Sequence, residues 1–467
     1  MTPLHASCSF LKYSRGVRGA DHPRGPSRLA AGQRRDNRLA PQALNFLLSP
    51  NHKRDLSALG KTPAPSASPP PRGEGRGAPA AKPKTKDRPA LARHATTREI
   101  LAQPAIWSAW GAELPVADLR DWIAGTGTDE VWFCGAGTSA YIGDILAAGL
   151  EGQDGPRLRA TPTTDIVARP QAYLRGSPRL IVSFGRSGNS TESIGLLDAA
   201  DALAPHWPRL NITCNGQSAL GQDPKAKVIP LPEATHDQGF AMTSSFSTML
   251  LTAAALFDRT LAPEDTPKRL NTLADTLKTL LPSFTEAART ARRPDRAVFI
   301  GSGPLAFAAR EAALKVMELA AGQIPALWDS TLGFRHGPKS FTVGNTDLWL
   351  FRAADPHTRA YDDDLLAELR TQYPASQITA PEIPQPFGDL WSAPLYVALA
   401  QLLAVHWSDA LGLTVDDPFA GQGTLARVVS GVRLPPVTPW SQPKSTSAAP
   451  RSRRRSSPPT GAFRPAT

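Results

Sequence analysis

The sequence predicts an α/β protein made of two tandem copies of one unit, each a parallel sheet flanked by helices in three layers (αβα), and three observations carry that expectation. Between residues 91 and 432, short β-rich runs alternate with longer helical ones, the sign of strands joined by helical crossovers. Two glycine-rich turns, GAGTSA (135–140) and SFGRSGNSTE (183–192), lie at strand ends where the chain passes into a helix. A third turn, GSGPLAFAA from Gly301, repeats the pattern of GAGTSAYIG 166 residues downstream, which indicates an internal duplication.

In chain order, residues 1–92 form a Pro- and Arg-rich extension that cannot bury enough apolar surface to offset chain entropy, and it is expected to be disordered. The first copy, 93–262, carries strand candidates VWFC (131–134), RLIVSF (179–184), RLNITC (209–214) and KVIPL (227–231). Residues 141–150 read as the helix after the first turn, and 246–257 as a core helix. The second copy, 263–432, opens with a helix-rich stretch at 266–292. Strand candidates AVFIG (297–301), DLWLFR (347–352) and SQITA (376–380) follow, with helices at 310–322 and 395–407. Both apolar helices read as core elements, too short and too interrupted for a bilayer. Residues 433–467 form a second, basic tail that is also expected to be disordered.

Charge is unevenly distributed. The net +11 divides into +12 on residues 1–90, +7 on 433–467 and −8 on everything between, so the high pI belongs to the tails. A nucleic-acid-binding reading of the whole chain loses its main support. Three cysteines, Cys8, Cys134 and Cys214, have no disulfide or metal-ligand spacing, which suits a reducing cytoplasm and leaves Cys134 and Cys214 as small buried hydrophobes. No membrane partner is expected.

The turn at 183–192 reads as a cradle for an anion. Its glycines let backbone approach a ligand, Ser187, Ser190 and Thr191 offer hydroxyls, and the following helix adds free N–H groups. With the Thr138–Ser139 pair in the first turn, the two loops point to one phosphorylated ligand at the carboxyl ends of parallel strands. In the second copy the turn at Gly301 lacks a Thr-Ser pair, but Glu311, Lys315 and Glu318 recur at i, i+4 and i+7 on one helix face. The plain alternative for that stripe is a solvated set of salt bridges, and for the cradle hydroxyls it is turn formation and helix capping.

GAGTSA, SFGRSGNSTE, LKVMELAAGQ and FRHGPKS (334–340) together resemble the SIS family of sugar isomerase domains in tandem. Within it, TTREILAQPAIW (96–107), QGFAMTSSFSTML (238–250) and DDPFAGQGTLARVVSGV (416–432) are similar to the AgaS-type enzymes, associated with deamination of galactosamine 6-phosphate to tagatose 6-phosphate. The resemblance implies a cofactor-independent, metal-free sugar-phosphate isomerase or deaminase that works as a homodimer or larger homo-oligomer. It implies that Ser139, Arg186, Ser187 and Ser190 hold the phosphate with Thr243 nearby. Thr138, Asn189, Lys315 and Arg427 complete the implied binding set. Glu318 matches the glutamate that shuttles a proton between C1 and C2, and His336 the ring-opening histidine, which in tandem isomerases reaches the site from a neighbouring subunit. Opening a pyranose needs a group that titrates near neutrality, and enolisation needs a carboxylate over the C1–C2 edge.

Two departures separate this chain from the glutamine-dependent synthases of the same family. Arg427 stands where they carry a Schiff-base lysine, and a guanidinium cannot act as that nucleophile. Thr2 stands where their glutaminase has its cysteine, so amidotransfer is not expected. Plain aldose–ketose isomerisation remains the nearest rival to deamination. A sugar-phosphate sensor is the rival from another class, weakened by the lack of a helix-turn-helix pattern before Thr96.

Overall fold

Two helices, α1 (Ala95–Glu113) and α2 (Val116–Gly125), lead into the first sheet of the structure, a computed structural model that describes residues 93–438. The extension 1–92 and tail residues 439–467 lie outside the described residues. The first half continues as β1 (Glu130–Cys134), α3 (Thr138–Gly149), β2 (Arg157–Ala160), α4 (Thr163–Ala168), α5 (Pro170–Tyr173), β3 (Leu180–Gly185), α6 (Thr191–Leu203), β4 (Arg209–Thr213), β5 (Ala226–Pro230) and α7 (Ser244–Phe257). Its five strands are parallel, in the order β2-β1-β3-β4-β5.

The second half runs α8 (Thr266–Thr290), β6 (Arg296–Gly301), α9 (Pro304–Leu319), β7 (Ala326–Ser330), β8 (Thr346–Phe351), α10 (Pro356–Gln372), β9 (Gln377–Thr379) and α11 (Gly388–Ala410). Its four strands are also parallel, ordered β7-β6-β8-β9. Matching β1 to β6 aligns the two orders and leaves only β5 without a counterpart. The duplication extends to single torsions: Gly137 before α3 has φ 56° and ψ −131°, and Gly303 before α9 has φ 53° and ψ −129°, a left-handed φ that favours glycine. Two residues earlier, a Cβ on Gly135 or Gly301 would lie 2.4 Å from the Ser139 carbonyl carbon or 2.6 Å from that of Leu305. Only glycine lets each helix start directly above its strand. Helices α3 and α9 pack against each other, joined by an ion pair between Asp144 and Arg310, which occupy equivalent positions in the two copies.

Side-chain alternation along the strands builds three apolar regions. Val131, Phe133, Val182 and Phe184 face Phe299 and Phe351 of the other sheet across a shared core filled by α1, α3, α7, α8, α9 and α11. Trp132, Cys134 and Ile181 point outward onto α4 and α6, and Val298, Ile300, Leu348 and Leu350 outward onto α10. The strands β2 and β7 do not stand out in the sequence. Both lie at sheet edges, RLRA half-exposed along its length and ALWDS ending in Asp-Ser, so neither presents a buried apolar run.

One expectation changes. The helix at 395–407 is in fact the 23-residue α11, long and apolar enough by length and composition to cross a membrane. Its side chains are nonetheless buried inside the protein all the way from Leu390 to Val405, so it is a core helix for reasons of packing and not of length. The first half also extends its reach at the far end of the chain. Residues 433–438, assigned by sequence to the tail, lie against it: Val437 packs beside the α4 and α6 core and the Thr438 carbonyl accepts from Gln171.

Candidate active site

The first turn and the charged face of α9 meet where α3 and α9 cross. Lys315 is fully buried and its Nζ donates to Thr138 Oγ1 at 2.9 Å. It is paired with Glu311 at 3.2 Å and with Glu318 at 2.6 Å. Glu311, also fully buried, accepts from Thr138 Oγ1 at 3.2 Å. The solvated-stripe alternative is thereby overturned, because apolar packing of α9 against α3 and α11 removes two of the three charges from water. Glu318 alone keeps partial exposure, at 22%. Burial, with the Glu318 charge, pushes the Glu311 carboxyl up to about 7 against the pull of Lys315 and the Thr138 hydroxyl. Burial also works against the Lys315 ammonium, but Glu311 and Glu318 outweigh it and hold its pKa above the ordinary value. The face therefore carries a fixed cation between one carboxyl that titrates near neutrality and one that looks outward.

Ser139 is buried at the start of α3, its hydroxyl 3.9 Å from the Met242 sulfur. In the cradle after β3, Ser187 Oγ accepts from the Asn189 amide at 3.3 Å and keeps its proton for another acceptor. Asn189 is exposed and its Oδ1 accepts from the Ala219 amide at 2.8 Å. Ser190 caps α6, accepting from Ser193 N, so its capping role is real. Arg186 is buried; it donates to the carbonyls of Phe240 at 2.9 Å and Arg427 at 2.7 Å, and Glu318 is close enough to act on its charge. Arg427, from the segment after α11, donates in turn to the carbonyls of Asp237 and Gln238 at 3.0 and 2.7 Å. The structure thus brings together Thr138, Ser139, Arg186, Lys315, Glu318 and Arg427, with Ser187, Asn189 and Ser190 on the adjoining loop.

Thr243, which the resemblance places near the phosphate, is fully buried just before α7. Its hydroxyl donates to Asp237 at 2.8 Å, and Asp237, fully buried, also accepts from the amides of Thr243, Ser244 and Ser245 and from both serine hydroxyls. Asp237 thereby anchors the start of α7. Sequence reading passes over it, because Asp237 lies six residues ahead of the N-cap Thr243, outside the position where a capping acid is read from sequence.

His336 ends a 3-10 turn (Gly333–His336) and is exposed. No hydrogen bond or ion pair joins it to Glu318 among the described residues. Its neighbours Arg335 and Lys339 are tied to Glu368 on α10.

The second sheet has a polar centre of its own at the equivalent strand ends. Asp362, fully buried on α10, accepts from Ser302 Oγ at 2.7 Å after β6, from Thr331 Oγ1 at 2.5 Å after β7, and from the Ala353 amide at 2.8 Å after β8. A carboxylate of the chain occupies the donors that an anion would use there.

None of the protein-family models matches the chain. Individual proteins do. The chain is 41% identical over 323 residues to D-galactosamine-6-phosphate deaminase AgaS of Escherichia coli, spanning 65% of this chain and 84% of that one. It is 37% identical over 360 residues to the protein of the same name from Shewanella sp. (strain ANA-3), spanning 73% and 92%. The crystal structure of tagatose-6-phosphate ketose/aldose isomerase from Escherichia coli aligns with a TM-score of 0.65 and 36% identity, covering 70% of this chain and 96% of that one.

Proposed function

Since this chain belongs to the AgaS family of SIS-fold sugar-phosphate deaminases and isomerases, we propose that it converts galactosamine 6-phosphate and water to tagatose 6-phosphate and ammonia. The observation that supports this reading best is the position of Glu318. It is a partly exposed carboxylate 2.6 Å from a buried ammonium, on a helix that meets the Ser139 turn, and its charge reaches Arg186 beside the cradle.

In this reading the cradle holds the phosphate through Ser139, Ser187 and the α6 amides, and Arg186 and Arg427 border it. Once the ring is open, Glu318 removes the C2 proton to give an enolamine and returns it at C1. The resulting ketimine takes up water and releases ammonia, leaving the ketose. Lys315 fixes the carboxylate and offsets charge that develops next to it. His336 is assigned to ring opening in the site of a second copy of the chain, since it is exposed and no hydrogen bond or ion pair joins it to Glu318 among the described residues. Plain ketose–aldose isomerisation by the same residues is the second reading, favoured by the name of the structural relative.

Incubating the purified protein with galactosamine 6-phosphate and assaying ammonia and ketose separately decides between them. Equal amounts of both support deamination. Ketose formation from an aldose phosphate with no ammonia from the amino sugar selects isomerisation, and no turnover of either removes both.

A further inference from the structure

The segment 96–107 stands out in the sequence, yet nothing in the reaction described above uses it. Glu99, on α1, turns toward the loop before α7. Its Oε1 accepts from the amides of Gln238 at 2.5 Å and Gly239 at 3.3 Å, and its Oε2 is 3.3 Å from the Gly239 amide. The opposite, carbonyl side of the same stretch carries the two arginines of the site: Asp237 and Gln238 accept from Arg427, Gly239 and Phe240 from Arg186. The fit is close, since a Cβ on Gly239 would lie 2.2 Å from Thr96 Oγ1. The arrangement is closed by the segment that bears Arg427. Asp416 caps α1 by accepting from the amides of Ala95 and Thr96 at 2.8 and 2.9 Å, and Phe419 packs on Phe240.

We propose that Glu99 is a positioning residue for sugar-phosphate binding, holding the Gln238–Phe240 peptides so that their carbonyls fix Arg186 and Arg427 at the cradle. This rests on the reading of that cradle as the phosphate site. The charges that act on Glu99 are Asp237 on the loop and Asp416 on the closing segment; Arg186 and Arg427 hold the other side of the same loop, their charges acting on its His236, His94 acts on Asp416, and Arg98 precedes Glu99 on α1. Burial and the charges of Asp237 and Asp416 push its carboxyl up to about 6 against the pull of the two amides. Ionised, it can receive both N–H groups in full; protonated, it gives up part of that hold. Ligand affinity should therefore weaken as pH falls through about 6, beyond what the ionisation of the sugar phosphate itself produces.

The test uses the full chain as wild type, Glu99→Gln and Glu99→Ala, with galactosamine 6-phosphate binding measured by calorimetry and turnover by ammonia release between about pH 5 and about pH 8. Taking the ratio of variant to wild-type Kd cancels the titration of the ligand phosphate, whose second pKa is near 6. At about pH 8 Glu99→Gln should bind about three- to tenfold more weakly, with kcat within about twofold, as expected when a remote binding interaction is loosened. At about pH 5, where the wild-type carboxyl is also neutral, the ratio should approach one. Glu99→Ala should be weaker than wild type at both pH values, and melting temperatures establish that each variant is folded. A Kd ratio that does not change with pH, or a loss confined to kcat, overturns the proposal. Binding without ammonia release would remove the deaminase reading and leave this one to stand on the Kd ratio. No binding by wild type removes both.

Discussion

Lys315 has no water to solvate its charge, so its two carboxylate neighbours decide whether that charge is tolerable. Removing one partner of a buried pair leaves the other uncompensated, at a cost of about 3–5 kcal/mol. Lys315→Met should lower the unfolding free energy by about that amount in denaturant titration, and Glu311→Gln in the same chain should recover part of it, because the neutral amide no longer needs a counter-ion. The sequence shows the spacing of Glu311, Lys315 and Glu318 but not their burial, which depends on α3 and α11 arriving from 170 residues upstream and 70 downstream in round terms. Ser139 and Ser187 are legible as hydroxyls in glycine-rich turns; in the structure Ser187 accepts from the Asn189 amide, and Ser139 donates only to the soft Met242 sulfur, a weak acceptor that a phosphate oxygen would displace. Ser139→Ala and Ser187→Ala should each raise KM by about tenfold or more with kcat within about twofold, as loss of a charge-assisted hydrogen bond remote from the reacting carbons would do. Steady-state kinetics on galactosamine 6-phosphate measure both, and an unchanged KM in the two variants would displace the cradle.

At the scale of elements, the strand-turn-helix unit is what the sequence displays best. GAGTSA and GSGPLA each place a glycine where the following helix leaves no room for a Cβ. Gly301→Ala has backbone, and not a flexible side chain, as its obstacle, so the helix carrying Glu318 must shift. A loss of about 1–3 kcal/mol of stability together with a fall in kcat is expected. Gly125→Ala, with nothing within 4 Å of the new Cβ, is the neutral control. Measuring melting temperature and turnover for both separates a specific displacement from a general intolerance of alanine. Strands buried on both faces, such as LIVSFG, are readable because every residue is apolar or small. Edge strands β2 and β7 are not, because their half-exposed positions accept Arg, Asp and Ser and look like loop. The same cause leaves β7, just before His336, out of the strand candidates read from the sequence.

Over the whole molecule, the two halves are held by a core that neither could complete alone, with α1 of the first half lying along α8 of the second and Gln103 bonded to Gln401 on α11. The closing segment adds a further tie, so the place of truncation matters. A chain ending at 438 should keep the melting temperature of the full protein, whereas one ending at 432 loses Leu434 and Val437 against α4 and α6 and should melt a few degrees lower, by about the weight of one or two buried aliphatic side chains. Assembly can be tested by complementation. Glu318→Gln and His336→Ala homo-oligomers should each be nearly inactive. Mixed oligomers should regain at most about half of wild-type activity per heterodimer if each site draws these residues from different chains, since a two-fold dimer then pairs one intact site with one doubly altered site. Verified mixed oligomers without recovered activity would assign both residues to one chain.

Asp362 gives the duplicated fold an asymmetry that a titration can count. A carboxylate fixed on α10 competes for the Ser302, Thr331 and Ala353 donors as a tethered group, with no translational entropy to lose on each encounter. The second half thus begins every encounter with its receptor already saturated, by a ligand that cannot diffuse away. If the cradle of the first half takes the sugar phosphate as proposed, calorimetry should count one equivalent per chain and not two.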